Sequence, residues 1–422
     1  MSNPAVISAN RRSFILPLVV IGALFFIFGF ITWANSQLIP YLKIACDLTT
    51  TQSLYVASAF FAAYFVMGIP SSIILKKTGY KKGMSLGLLT MAVGAALFIP
   101  AAESRNYSLF LTGLFVIGTG LTLLQTASNP YVTVLGPIES AAQRISIMGI
   151  CNKIAGILAV FILGGIVLKD VDALQERLHQ LTPADKEAEL NALALRVVDP
   201  YIIIAVALSL LAVIIYFIHL PEIKEEEPNV EVVKTSASIF DYPYLFLGAL
   251  AIFFYVGAEV ISYDTFAGFG ESLGYPLEQA SRFASYTGYS LLIGYILGIT
   301  CIPKFISQQK ALVVSTVLSI ILVLFAMFTR GTVAVVCFAL LGFSNAVMWP
   351  AIWPLAIDGL GRFTKNGAGI LIMGIVGGAV LTPLYGVVAK TMDSKQLAYV
   401  LMIPCYLYIL FYAIKGHLIG KK

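Results

Sequence analysis

Charge is scarce in this chain of 422 residues. Asp, Glu, Lys and Arg together make up 12%, against about 25% in an ordinary soluble protein, and apolar residues reach 59% instead of about 45–50%. So few charges cannot clothe a water-facing surface, which excludes a soluble globular protein. Histidine is nearly missing: there are three, and His179, His219 and His417 stand far apart. The five cysteines, Cys46, Cys151, Cys301, Cys337 and Cys405, form no CxxC pair. No HExxH, GxSxG or P-loop pattern occurs. A membrane enzyme, an ATP-driven pump and a resident cofactor or metal are therefore not expected.

What is abundant is the long apolar run. Phe14 to Ile31, Leu54 to Leu75, Met84 to Ala102, Leu109 to Leu124 and Val197 to Leu220 each approach the roughly 20 residues that a helix needs to cross hydrocarbon. No small-residue cleavage site follows the first run, so it reads as a span and not as a signal peptide. Twelve spans are expected, centred near residues 28, 64, 93, 121, 157, 209, 254, 292, 320, 346, 379 and 406. An even number puts both termini on one side. Lys76, Lys77, Lys81, Lys82, Lys304, Lys310, Arg362, Lys365, Lys421 and Lys422 then share that side, which the positive-inside rule makes cytoplasmic. The net charge of +5 reflects this topology, and no nucleic-acid partner is implied.

The polar stretch from Pro221 to Asp241, with Glu225, Glu226 and Glu227, divides six spans from six. This predicts an N-terminal six-helix bundle over 1–220, a cytoplasmic linker over 221–242 and a C-terminal bundle over 243–422. Short segments recur between the halves. Ile74-Leu75-Lys76 returns 228 positions later as Ile302-Pro303-Lys304, and Leu135-Gly136 with Ile147-Met148-Gly149-Ile150 returns 225 positions later as Leu360-Gly361 with Ile372-Met373-Gly374-Ile375. A 6+6 layout with a basic loop between spans two and three is that of the major facilitator superfamily, although Lys76 stands where that loop usually has an aspartate.

Four segments carry a closer resemblance: Asn35-Ser-Gln-Leu-Ile-Pro-Tyr-Leu-Lys, Gln125-Thr-Ala-Ser-Asn-Pro-Tyr-Val-Thr-Val-Leu-Gly-Pro, Tyr255-Val-Gly-Ala-Glu and Trp349-Pro-Ala-Ile-Trp-Pro-Leu-Ala-Ile-Asp-Gly-Leu-Gly. They resemble the fucose/proton symporter family, nearest its glucose/galactose transporter branch. The resemblance implies an all-α membrane fold of two pseudo-symmetric halves that imports a sugar by alternating access, driven by an ion gradient.

Polar side chains at membrane depth need partners or a wet cavity, which makes them informative. Lys153 stands about nine residues into span five, roughly 13 Å at 1.5 Å per residue, too deep to snorkel easily. Asn152, Gly149 and Gly156 lie near it on the helix. Glu259 in span seven has Tyr255, Ser262 and Tyr263 on its face; burial favours its neutral form, and a cation such as Lys153 would favour the carboxylate. Glu259 and Lys153 are the candidate ion-coupling groups, with a structural ion pair as the alternative. Asp264, five residues on, reads as a solvated helix end.

Amides suit sugar hydroxyls as donors and acceptors. Gln125 and Asn129 share a face of span four, Asn35 and Gln37 close span one before Pro40, and Asn345 precedes Trp349 and Trp353 in span ten. Interhelical hydrogen bonding competes with sugar contact as their explanation. Pro350 and Pro354 predict a broken helix there, and an indole can cover the apolar face of a pyranose, with interfacial anchoring as the alternative. The candidate substrate-binding set is thus Asn35, Gln37, Gln125, Asn129, Asn152, Lys153, Tyr263, Asn345, Trp349 and Trp353. The chain departs from the family at two points: Ser36 and Gln125 stand where the fucose symporter has an aspartate and a glutamate tied to coupling and sugar binding, and neither can carry a proton. Coupling then falls to Glu259 or Lys153, or sodium replaces the proton, or the chain is a uniporter; a sugar sensor without transport is the remaining alternative. The expected setting is a monomer in a bacterial inner membrane, with a hexose as substrate and N-acetylhexosamine or fucose as variants.

Overall fold

Runs of Leu, Ile, Val, Phe and Ala in hydrocarbon have one solution for their backbone polar groups, the α-helix. In the computed structural model the protein adopts it almost throughout the described residues, which are 11–134, 141–178, 180–218, 238–302, 304–360 and 363–421. The membrane-length segments are α1 (Arg11–Ala45), α2 (Thr50–Leu75), α3 (Lys77–Glu103), α4 (Tyr107–Val134), α5 (Ala141–Val167), α6 (Val198–Phe217), α7 (Pro243–Asp264), α8 (Phe283–Cys301), α9 (Gln308–Phe328), α10 (Gly331–Ile357), α11 (Gly369–Thr391) and α12 (Leu397–Ile414). Among the described residues 11 segments are apolar enough to cross a membrane by composition alone. The segment that falls short is α8, where Ser285, Tyr286, Thr287 and Tyr289 dilute the apolar run; Ser285 and Thr287 are fully buried against other helices. Outward-facing side chains such as Ile203, Phe217, Ile293 and Phe325 are exposed and apolar, as a hydrocarbon surround requires. The protein is an integral membrane protein.

Local structure departs from expectation in several places. Asn35 to Gln37 do not close the first span: α1 runs through Pro40 to Ala45. A proline removes one donor from a helix but need not end it when neighbouring helices hold the turn. The polar stretch 169–199 is largely helical, with Val171–Leu178 and Pro183–Leu195; Thr182 caps the second by accepting from the Asp185 amide, and Pro183 takes the first turn, where its missing N–H costs nothing. Span ten is not broken at its prolines: the backbone stays right-handed helical through Leu340 and Ala346–Val347, Pro350 sits in the first turn of the segment Met348–Ile357, and Pro354 lies inside that segment. The chain reverses within the first residues of α3, at Gly79, whose φ of 74° is a conformation that residues other than glycine resist. The side chains of Lys76 and Asn129, the residue His179 and the expected linker from 219 to 237 lie outside the described residues.

Close packing reveals the internal repeat. A Cβ on Gly29 of α1 would lie 1.8 Å from the Asn152 carbonyl oxygen of α5, and one on Gly377 of α11 would lie 1.8 Å from the Phe253 carbonyl oxygen of α7. The repeat offset carries Asn152 onto Gly377 and Gly29 to the neighbour of Phe253. The same backbone contact therefore recurs, with its glycine moved to the opposite helix. Two seams join the halves. On one, Gly288 of α8 meets Ile157 of α5; on the other, Gly378 of α11 meets Phe61 of α2. The repeat exchanges α2 with α8 and α5 with α11, so the seams are related by pseudo-two-fold symmetry. Gly29→Ala is expected to force α1 from α5 and destabilise by about 1–3 kcal/mol, as overpacking does. Gly165→Ala, with nothing within 4 Å, should be neutral or slightly stabilising. Thermal unfolding in detergent checks both.

Candidate functional site

Between the halves, the two ionisable residues set deep in apolar runs meet. Lys153 Nζ of α5 lies 3.0 Å from Glu259 Oε1 of α7. The residues are 8% and 9% exposed, so this is a buried ion pair spanning the two halves. Two such charges out of water are tolerated only as partners: losing either leaves the other uncompensated. Lys153 Nζ also sits over the Trp33 ring, 5.5 Å from its centroid, within cation–π range. Trp33 in turn stacks on Tyr263, with centroids 4.8 Å apart and planes 9° from parallel. Gly156, one turn after Lys153, lets Trp33 lie flat on α5, since a Cβ there would come within 2.7 Å of the indole. Trp33, Lys153, Glu259 and Tyr263 thus form one cluster drawn from α1, α5 and α7.

A second aromatic group lies on the α10 side. Trp349 stacks on Trp353 (5.5 Å, 26°), and its ring is 6.3 Å from that of Tyr255, one turn before Glu259. Both indoles are half-buried, and neither is packed away in the core. Asn345 is fully buried, with Oδ1 accepting from Tyr406 Oη at 3.0 Å and Nδ2 unpartnered. Gln125 is half-buried and donates to Tyr64 Oη at 3.0 Å.

Other expected contacts point elsewhere. Asn152 donates to the Phe25 carbonyl (3.3 Å), tying α5 to α1. Asn35 is 1% exposed with Nδ2 unpartnered. Gln37 is fully buried and donates to Ser36 Oγ (3.1 Å) and to the Ser281 carbonyl (3.0 Å) across the halves.

Gln37 belongs to a closure at the end of the bundle away from residues 218 and 238, here called the distal end. There Asp172 accepts from the amides of Leu277 (2.8 Å) and Glu278 (2.9 Å), so the segment after α5 grips the start of a short helix before α8. Lys395 pairs with Glu271 at 3.1 Å close by. Asp264 is not a solvated helix end: it is 1% exposed, because the chain continues beyond it as a further helix, Phe266–Ser272, and residues of α1, α2 and α11 line the same cavity. Trp33, Tyr64, Tyr406 and Asp172 were not singled out from the sequence. The signal available for Trp33 was Gly156, a small residue one turn from a buried lysine.

The model of the Major Facilitator Superfamily matches residues 21–383. A glucose/galactose transporter of Brucella abortus is 36% identical over 419 residues, covering 97% of this chain and 96% of that protein. The L-fucose-proton symporter of Escherichia coli is 32% identical, covering 96% and 94%. The crystal structure of FucP, a transporter of the same superfamily in the outward conformation, superposes with a TM-score of 0.74 at 30% identity over 95% of this chain and 99% of that one. The chain belongs to the major facilitator superfamily, in the branch shared by the L-fucose–proton symporter and the glucose/galactose transporters.

Proposed function

We propose that this protein imports a hexose together with a proton by alternating access, with bundles over 1–220 and 243–422 joined by a cytoplasmic linker over 221–242. Relatives named for glucose, galactose and fucose supply the substrate class. The lysine and arginine distribution supports cytoplasmic termini and an inner-membrane setting. The observation that carries the reading is the buried Lys153–Glu259 pair between the halves, bordered by two aromatic groups. In this reading the sugar lies between the halves, its apolar face on Trp349 and Trp353 and its hydroxyls on Gln125, Asn129 and Asn345. A proton on Glu259 removes the charge that holds Lys153, freeing α5 and α7 to part. The protein works as a monomer, since each half supplies part of the one site.

Proteoliposomes holding the purified protein test this with radiolabelled glucose, galactose and fucose under imposed proton or sodium gradients. Accumulation under the proton gradient alone is the expected result. Accumulation under sodium alone would reassign the coupling ion, equilibration without accumulation would make the protein a uniporter, and no uptake of any of the three would end the sugar reading.

Stacking on Trp349 makes a separate prediction. Sugar should change the intrinsic fluorescence, Trp349→Phe should remove most of that change, and Trp349→Ala should weaken binding about tenfold, the equivalent of about 1.4 kcal/mol. A full fluorescence response from the Phe variant would put the sugar elsewhere.

A further inference from the structure

The ion pair between the halves leaves one buried acid unused. Asp264 ends α7, five residues beyond Glu259, and is 1% exposed, yet among the described residues neither carboxyl oxygen has a hydrogen-bond partner. It lines a cavity of about 50 Å³ at the closed distal end, enough for water but too small for a sugar. The ionisable groups facing that cavity are Lys43 of α1, Glu271 after α7, Tyr385 of α11 and Lys395 before α12. Three are already engaged: Lys395 with Glu271, and the Tyr385 hydroxyl with the Lys395 carbonyl. The adjacent Thr265 hydroxyl is committed to the Ile261 carbonyl and to Tyr399. The fourth, Lys43, faces the cavity without a hydrogen bond to either Asp264 oxygen. An ionised carboxylate buried in this way is costly, whereas the neutral acid is far less so.

We propose that Asp264 is a proton-binding site of the distal gate: its carboxylate takes one proton from hydronium in the distal vestibule as that end closes, and returns it to water as the end opens. The open vestibule hydrates the carboxylate beside Lys43 and Lys395. Closure withdraws that water, and the O–H bond formed on Asp264 removes the charge that would otherwise be stranded. Closing is thereby tied to a proton that the Lys153–Glu259 pair does not handle. The inference rests on the alternating-access reading given above, and goes beyond it in assigning the gate its own titrating group.

Two measurements on the full chain test it. Infrared difference spectra of the reconstituted protein should contain a buried carboxylic-acid carbonyl band that Asp264→Asn removes and Glu259→Gln retains. Exchange of labelled galactose should slow in the wild type as pH rises, because closure then lacks its proton, while Asp264→Asn should flatten that profile, leaving only the dependence due to Glu259, and Asp264→Glu should restore it. A band that survives in Asp264→Asn overturns the proposal. So does a pH profile unchanged in that variant, which would separate the acid from closure. A wild type that exchanges no galactose, glucose or fucose would defeat the transport reading instead, and the infrared band would still decide whether Asp264 holds a proton.

Discussion

Replacing Glu259 with glutamine is expected to abolish accumulation of sugar under a proton gradient while preserving exchange of sugar across the membrane. Glutamine keeps the size and most of the hydrogen-bonding capacity of the carboxyl group but cannot gain or lose a proton. Exchange requires only a binding site and a moving gate, whereas accumulation requires a group that is loaded on one side and emptied on the other. The internal-to-external sugar ratio should therefore fall to unity in reconstituted vesicles, with labelled sugar still exchanging against unlabelled. A variant that accumulates like wild type would remove Glu259 from coupling.

The same pair predicts a large effect on stability. Lys153→Met leaves Glu259 buried without its cation and should cost about 3–5 kcal/mol, the usual penalty for breaking one side of a buried ion pair. Neutralising both sides at once, with Lys153→Met and Glu259→Gln, should recover most or all of that loss, because a buried pair gains little over neutral side chains of similar volume. Thermal unfolding of the two single variants and the double variant in detergent provides the comparison. If the double variant is as unstable as the singles added together, the pair carries no coupling energy and the 3.0 Å contact is incidental.

Lys153 and Glu259 were legible as individuals, since each interrupts an apolar run where insertion of a charge is costly. Their pairing was open as an alternative but not fixed: 106 positions separate them, and the packing of α1 against both α5 and α7 brings them within reach. The spans could be read from hydropathy, and even α8, diluted by Ser and Tyr, was expected near residue 292. The repeat offset foretold which residues correspond, but not that the glycine of the close contact changes helices. Asp264 was misread because a sequence shows where polar residues begin and not which other helices close around them. Pro40 misled for a related reason, as the fate of a proline in a helix is decided by its neighbours in space. Gln37, read as a sugar ligand, is held by a backbone carbonyl of the other half, a partner with no signature in the sequence.

The grip of Asp172 on the other half has a consequence for how such a protein can change over time. Its two acceptor contacts are to main-chain amides, so no particular side chain is required at 277 or 278. Drift at those positions leaves the latch intact unless proline arrives and deletes a donor. A latch built from two side chains would bind the two halves to matched substitutions. This one asks for constancy on a single side: the latch leaves the partly exposed position 278 free to vary, and position 277 is constrained only by the apolar packing of its side chain.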